Sequence, residues 1–401
     1  MLVVKKFGGT SVADPQRIRT VAKRCAEDYR AGRDVIVVLS AMGKTTDVIL
    51  ELAKEVNPDA PKRELDMLLA IGEQTSVALM SMAFAAMGIP AVSLNAFQVP
   101  MHTTGDYGNA RIKKIGTDRV RHELESRKIV VITGFQGINR YDDVTTIGRG
   151  GSDTTAVALA AALHADACEI YTDVEGVFTA DPRIVPNARK LKEITYDEML
   201  ELASIGAQVL HNRSVELAKK YGVTLVVRSS LNTNEGTIVR EEAEVESMLI
   251  SGVAADKNTA RITVMGLKDE PGIAFKVFDL LANHSVNVDA ILQSVGPQIG
   301  KREISFIVPR DCARNALEVL EQNKSRLKAE TIDVDCTVAK LSVVGAGIQT
   351  NPGVAAKMFE SLYNVGVNIL MIATSEVRIT VIIREEDVEK AVRAVHDALV
   401  D

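Results

Sequence analysis

Leu2-Val-Val-Lys-Lys-Phe-Gly-Gly-Thr-Ser11 opens the chain with a short apolar run that stops at two glycines. The run reads as a buried strand, and the glycines let the backbone turn close to whatever lies at its end. Helical spacing of Ile18, Val21, Ala22 and Cys25 follows over Pro15–Arg30, and Val35-Ile-Val-Val-Leu39 is a second apolar run without polar alternation. Strands buried on both faces are what a parallel sheet requires. Working outward, helical stretches over 47–55, 64–87, 154–163 and 196–221 alternate with strands over 91–94, 129–133, 169–172 and 224–227. This predicts an α/β domain over residues 1–230, an open, mostly parallel, doubly wound sheet with helices on both faces. The Ser-, Asn- and Glu-rich stretch 231–247 reads as a linker.

Beyond the linker the chain repeats itself. Residues 271–288, PGIAFKVFDLLANHSVNV, align without gaps on 352–369, PGVAAKMFESLYNVGVNI. Each copy has a strand before its Pro-Gly, a helix, further strands and a closing helix, the βαββαβ order of a ferredoxin-like α+β module. The expected boundaries are 248–336 and 337–401. Two copies of one small module behind a catalytic-looking domain point to sensing.

The composition excludes several classes. Of 401 residues 46% are hydrophobic and 25% charged, which is ordinary globular composition. With 47 Lys and Arg against 53 Asp and Glu, a net charge of −6 argues against a broad basic face for nucleic acid or anionic membrane. Nine Phe, seven Tyr and no Trp leave little for stacking bases. Four cysteines without a CxxC pair suggest reduced thiols in a cytoplasmic protein. No leader is visible at the start, and the apolar stretch 77–92 is broken by Ser81 and by Gly88-Ile-Pro90, as in a buried helix rather than a membrane span.

Chemistry concentrates in a few segments. In Lys6-Phe-Gly-Gly-Thr-Ser11 the lysine is a compact cation for a transferring phosphoryl group, and the backbone N–H groups of Gly8 and Gly9 can approach phosphate, helped by the positive end of the helix from Pro15. The same residues would also make a plain turn. Gly148-Arg-Gly-Gly-Ser-Asp153 precedes a small-residue helix. There Ser152 or Asp153 suits an N-cap, Arg149 can fork onto a carboxylate, and Asp153 can orient a lysine or magnesium. Thr172, Asp173 and Arg183 lie in a loop after a strand, the place where doubly wound sheets bind ligands, although a tight turn plus an Asp-Pro turn explains the loop equally well. Ser40 and Thr46 offer hydroxyls or a helix cap, and Glu73 is either a site carboxylate or part of a solvated helix face. No histidine pair has metal spacing, so no protein metal site is assigned, and His164 and His211 read as packing or hydrogen-bonding residues. Gly43-Lys-Thr45 lacks the upstream glycine of a P-loop.

Taken together, the Lys-Phe-Gly-Gly-Thr-Ser, Gly-Arg-Gly-Gly-Ser-Asp, Thr172-Asp173 and Asp181-Pro-Arg183 segments and the doublet resemble the aspartate kinases of the amino-acid-kinase superfamily, with paired ACT domains. The resemblance spans nearly the whole chain. It implies transfer of the γ-phosphoryl of MgATP to the side-chain carboxylate of L-aspartate, giving 4-phospho-L-aspartate on the way to lysine, threonine and methionine. By the same resemblance Lys6 and Asp153, with Gly8 and Gly9, serve the transfer. Ser40, Thr46, Glu73, Arg149 and Ser152 hold aspartate, and Lys6, Gly8, Thr172, Asp173, Phe178 and Arg183 hold ATP. Gln208 departs from the pattern, since many relatives have lysine there. The first ACT copy would bind a lysine or threonine effector through Asp269, Gly272, Ile273, Ala274, Asn287 and Gln293. The second would use Asn351, Gly353, Val354, Ala355, Asn368 and Ile369, with a leading strand from 249–254 completing its sheet. A homo-oligomer is implied, with a short regulatory subunit from an internal start at Met248 as a further possibility of the family. A non-catalytic amino-acid sensor on the same scaffold is the alternative, and Lys6, Glu73, Arg149 and Asp153 all being present argues against it.

Overall fold

The structure is a computed structural model and describes residues 1–205, 209–242, 249–295, 300–348 and 350–400. Its contacts separate two compact units: Met1–Phe178, Lys190–Ala203 and the chain from 209 to 242 form the first, Thr179–Arg189 and the chain from 249 onward the second.

The first unit is built on an eight-stranded sheet. In spatial order its strands are Glu193–Thr195, Thr237–Arg240, Leu225–Ser229, Ala167–Thr172, Leu2–Phe7, Asp34–Leu39, Ile129–Thr133 and Ala91–Leu94. Among these the Leu225–Ser229 and Thr237–Arg240 pair is antiparallel and every other pair parallel. The strand that opens the chain is therefore interior, as its unbroken apolar run predicts. Val3 and Phe7 join Val35, Val37 and Leu39 in one core with Ile18, Val21 and Cys25 of the Pro15–Arg30 helix and Val77, Met80 and Phe84 of the Ile71–Ala86 helix. The Gly151–Leu163 helix, buried on almost every side, packs against the same central strands.

Several local expectations change. The single helix over 64–87 is two, Lys62–Leu69 and Ile71–Ala86, which meet at Ala70, whose carbonyl also accepts from Gln136 Nε2. By length and apolar content Lys62–Ala86 passes for a membrane-crossing helix, yet its second half buries Glu73 and Ser76 beside Val77 and Met80, as a core helix does. The helix over 196–221 is Tyr196–Ser204 and Asn212–Tyr221, and Gln208 lies outside the described residues. The stretch expected as a linker contributes the Thr237–Arg240 strand. Buried Thr237 donates to Leu191 O at 2.6 Å and accepts from Val177 N at 2.9 Å, so the polar composition serves a sheet. A small sheet of Ile112–Ile115, Met101–Thr103, Gln136–Ile138 and Val144–Thr146 was not foreseen, since strands of three or four residues carry almost no periodic signal.

In the second unit each repeat forms a four-stranded sheet. The first runs Asp289–Val295, Lys301–Val308, Ala260–Lys268 and Thr331–Asp335, its helix-facing side closed by Ile262, Val264, Ile304 and Phe306. The second runs Gly252–Asp256, Val338–Val344, Arg378–Arg384 and Met371–Thr374. Gly252–Asp256 precedes the first repeat in the chain yet pairs antiparallel with Val338–Val344, the loan expected of residues 249–254. By packing, Thr179–Arg189 also belongs here although it lies within 1–230. Ala180 and Val185 sit in the core of the second repeat, and Thr179 Oγ1 lies 2.9 Å from His396 Nε2.

Candidate functional site

The carboxyl ends of the central parallel strands gather the predicted groups of the first unit. Successive side chains on a strand point to opposite faces, so Lys5 and Lys6 part company. Lys5, 2% exposed, turns toward the Pro15–Arg30 helix, where it pairs with Asp28 and, at 2.9 Å, with Glu169. Lys6 turns to the other face and meets Asp153 in the first turn of the Gly151–Leu163 helix, Nζ to Oδ1 2.5 Å, with both side chains nearly buried. An ammonium held this way is fixed in position and still reaches the strand end.

Gly9 is needed for close approach. A Cβ there would lie 2.7 Å from Ala41 O, and its carbonyl accepts from Gly43 N at 3.0 Å. This brings the loop after Leu2–Phe7 against the loop after Asp34–Leu39. Ala41 N in turn donates to Glu73 Oε1 at 3.0 Å, while Oε2 is buried with no hydrogen-bond partner among the described residues. Burial pushes the Glu73 carboxyl up to about 7. An acceptor held without a partner in a dry site suits an incoming cation such as an α-ammonium group. Ser40 begins the same loop and Thr46 lies in the first turn of Thr45–Val56.

The glycine loop before Ser152 is gripped from behind. Buried Asp66 accepts from Gly108 N at 3.0 Å, Thr146 N at 2.8 Å and Thr146 Oγ1 at 2.8 Å. Arg213 donates to Ile147 O at 2.7 Å and to Ala110 O at 2.9 Å. Gly150, in the left-handed region at φ +68°, lies so close to His211 that a Cβ would come within 2.2 Å of the ring. Arg149 itself is exposed and has no ion pair among the described residues, so its guanidinium is available to a carboxylate. Ser152 is buried against Gly134, where a Cβ would approach its Oγ to 2.5 Å. His211 packs here as its sequence reading expects, whereas Asp66 and Arg213 were not singled out, since an isolated Asp in an amphipathic helix carries no mark of such a role.

Two groups expected to face phosphate have partners within the chain. The N–H of Gly8 donates to Tyr171 O at 3.3 Å, and Tyr171 stacks on Phe7 with ring centroids 4.4 Å apart. That amide braces the strand ends. The helix from Pro15 is capped by Asp14, whose carboxylate accepts from Gln16 N at 2.8 Å and Arg17 N at 2.9 Å and so offsets its positive end. The helix from Gly151 has no side-chain cap, its N-cap being Gly150 rather than Ser152 or Asp153.

In the segment expected to hold ATP, Thr172 Oγ1 donates to Asp173 Oδ1 at 3.0 Å at the end of the Ala167–Thr172 strand, and Phe178 bridges to Lys190. Arg183 falls in the second unit, 90% exposed and forked onto Asp181 at 2.7–3.1 Å. Among the described residues no group of three or more His, Cys, Asp or Glu side chains could hold a metal.

The family model of the amino acid kinase family matches residues 1–229, and that of the ACT domain matches 262–323 and 341–399. An aspartokinase of Corynebacterium glutamicum is 50% identical over 401 residues, covering 99% of this chain and 95% of that protein. The chain belongs to the aspartokinase family. Among solved structures, Escherichia coli aspartokinase III in complex with aspartate and ADP aligns over the whole of both chains with TM-score 0.85 and 25% identity. Its complex with lysine and aspartate aligns with TM-score 0.78 and 26% identity.

In aspartokinase terms, Gly272, Ile273, Ala274 and Asn287 of the predicted effector residues have their repeat equivalents in Gly353, Val354, Ala355 and Asn368. Gly272 and Gly353 are left-handed N-caps, φ +89° and +111°, of the helices Ile273–Asn283 and Val354–Asn364, with each proline one residue outside the cap. Ile273 and Val354 are buried, and Ala274, Ala355 and Ile369 pack on the two cores. Asn287, Gln293 and Asn368 are exposed. Asp269 pairs with Arg302 at 2.9 Å, and Asn351 Nδ2 donates to Gly347 O at 3.0 Å.

Proposed function

We propose that the crevice at Lys6 and Asp153 transfers the γ-phosphoryl of MgATP to the side-chain carboxylate of L-aspartate. The observation that carries this reading is the Lys6–Asp153 pair at 2.5 Å, at the carboxyl end of the central strand. Phosphoryl transfer needs little covalent help and much charge placed in advance. Lys6 neutralises the group in flight, and the uncapped start of the Gly151–Leu163 helix directs N–H groups at it. Arg149 forks onto the α-carboxylate, and Glu73 Oε2 accepts from the ammonium. Ser40, Thr46 and Ser152 complete the aspartate site. Thr172, Asp173 and Phe178 border the nucleotide, and Arg183 stays a candidate ATP contact from its sequence segment alone. Mg2+ enters with ATP as part of the substrate.

The 1–230 kinase domain, the 231–247 connection and the ACT modules at 248–336 and 337–401 divide catalysis from regulation. Lysine, threonine or both act as effectors, a choice in line with the lysine complex of the E. coli relative, and their sites are proposed at the Pro-Gly turns. We place the enzyme in the cytoplasm as a homo-oligomer without nucleic-acid or membrane partners. Met248, the conceivable internal start, lies outside the described residues.

The test is trapping of the acyl phosphate with hydroxylamine, with L-aspartate, L-glutamate, N-acetylglutamate and UMP offered in parallel. Hydroxamate with aspartate alone is expected. Absence of turnover with every acceptor, in folded protein that binds ATP, would favour the sensor.

The loop geometry gives a second expectation. Gly150→Ala forces a left-handed alanine, a cost of roughly 1–2 kcal/mol, and drives its methyl into His211. The KM for aspartate should rise at least about tenfold, the effect of roughly 1.4 kcal/mol. Gly150→Ala/His211→Ala should recover part of that loss. Equal KM values for Gly150→Ala and the parent would mean that this loop does not position Arg149.

A further inference from the structure

One face of the first ACT sheet is covered by its helices, and on the other, where Thr263 and Ser305 are buried, Leu370 and Met371 of the second repeat help to close a cavity of about 270 Å³. Its floor is Thr263 and Ser305, cross-strand partners with Oγ1 and Oγ 3.0 Å apart. None of the predicted effector residues lines it. Three charged groups stand round the floor: Arg261 two residues before Thr263, Glu303 two residues before Ser305, and Asp333 opposite Thr263.

These charges are under-used. Arg261 has one ion pair, at 3.6 Å to Asp335, and its Nε is buried with no hydrogen-bond partner among the described residues. Glu303 and Asp333 make no side-chain hydrogen bond or ion pair among them. Met265, Leu292, Leu370 and Met371 form the remaining wall, and Leu292 leaves 44% of its surface exposed. A cation with spare donors, carboxylates with spare acceptors and an apolar lip therefore meet in one small space. The volume falls below the roughly 300–1,000 Å³ of sites for larger ligands.

We propose that this cavity binds a free α-amino acid with an apolar side chain, at a site separate from the Pro-Gly turns. Arg261 takes the α-carboxylate as a fork, the pairing that planar guanidinium favours. Glu303 and Asp333 take the ammonium. The side chain lies on the two methionines and two leucines, whose thioethers adapt to its shape. A side chain ending in a charge would be desolvated against that wall without a partner, which excludes lysine.

Calorimetry on the full-length protein, with lysine and threonine saturating, tests this using L-leucine and L-methionine as probes. Saturable binding of one molecule per chain is expected. Arg261→Gln should weaken it roughly 10- to 100-fold, the range for losing a charged hydrogen-bonding partner, while the melting temperature and the lysine and threonine responses stay as in the parent. Glu303→Gln/Asp333→Asn should weaken L-leucine but leave 4-methylpentanoate, which lacks the ammonium, unchanged. No saturable binding at millimolar probe overturns the proposal, as does displacement by lysine. So does an Arg261→Gln protein that binds L-leucine normally and changes only its oligomeric state, the outcome if this face joins copies of the chain.

Discussion

Lys6→Ala is expected to lower kcat by about 10²–10³-fold, the usual consequence of deleting one preorganised charge-stabilising donor. The side chain is 12% exposed and its Nζ lies 2.5 Å from Asp153, so no solvent cation can take its place at that point. Removal also strands the Asp153 carboxylate. For a fully buried pair that costs about 3–5 kcal/mol, and less here because both groups keep some contact with water. Stability and catalysis are separable through Lys6→Ala/Asp153→Asn. The amide needs no counter-charge, so the double variant should regain most of the melting temperature and none of the turnover. Lysine or threonine binding, measured by calorimetry, should survive in both, since the proposed effector residues lie in the ACT modules. A Lys6→Ala enzyme turning over at the parental rate would remove Lys6 from the mechanism.

Glu73→Gln should act on aspartate affinity and on stability in opposite senses. Glu73 has its carboxyl raised from 4.5 to about 7 by burial, so in the empty enzyme much of it is protonated near neutrality. Binding an ammonium requires the carboxylate, so the KM for aspartate should fall as pH rises through about 7 and then level. In Glu73→Gln that dependence should vanish and the KM at pH 8 should rise by roughly 10- to 100-fold, the loss of a charge-assisted bond. For stability the sign follows from proton counts. Between the unfolded value near 4.5 and the folded value near 7 the native state binds more protons, so stability declines as pH rises through that window and is flat above it. The penalty above pH 7 amounts to at most about 3 kcal/mol. Glu73→Gln should therefore melt higher than the parent at pH 8 and nearly level with it at pH 4. A KM with the same pH profile in both proteins would assign the titration to another group.

Much of this was legible in one dimension. Val35-Ile-Val-Val-Leu39 allows only a strand buried on both faces, and the 81-residue offset between the Pro-Gly copies announces two like modules, because both signals are periodic and local. The glycines of Gly148-Arg-Gly-Gly-Ser-Asp153 mark a backbone that must turn tightly in front of a helix, and Gly150 at φ +68° is such a turn. Amides and carbonyls were harder to read. Which N–H groups remain free is settled by partners far along the chain, and Tyr171 O claims the amide of Gly8 from 163 residues away.

Residue identity and spacing therefore carry the sheet, the doublet and the list of groups able to bind phosphate, carboxylate and ammonium. The chain order does not say which of two adjacent lysines is structural and which faces the reaction. Register decides that: with Leu2–Phe7 locked between Asp34–Leu39 and Ala167–Thr172, Lys5 is committed to Asp28 and Glu169 on one face and Lys6 to Asp153 on the other. Nor does it reveal that Asp66, about 80 residues before Arg149, holds the strand leading to it, or that burial leaves one oxygen of Glu73 without a partner. These are consequences of desolvation and of contacts between distant segments, and they exist only once the chain has closed on itself.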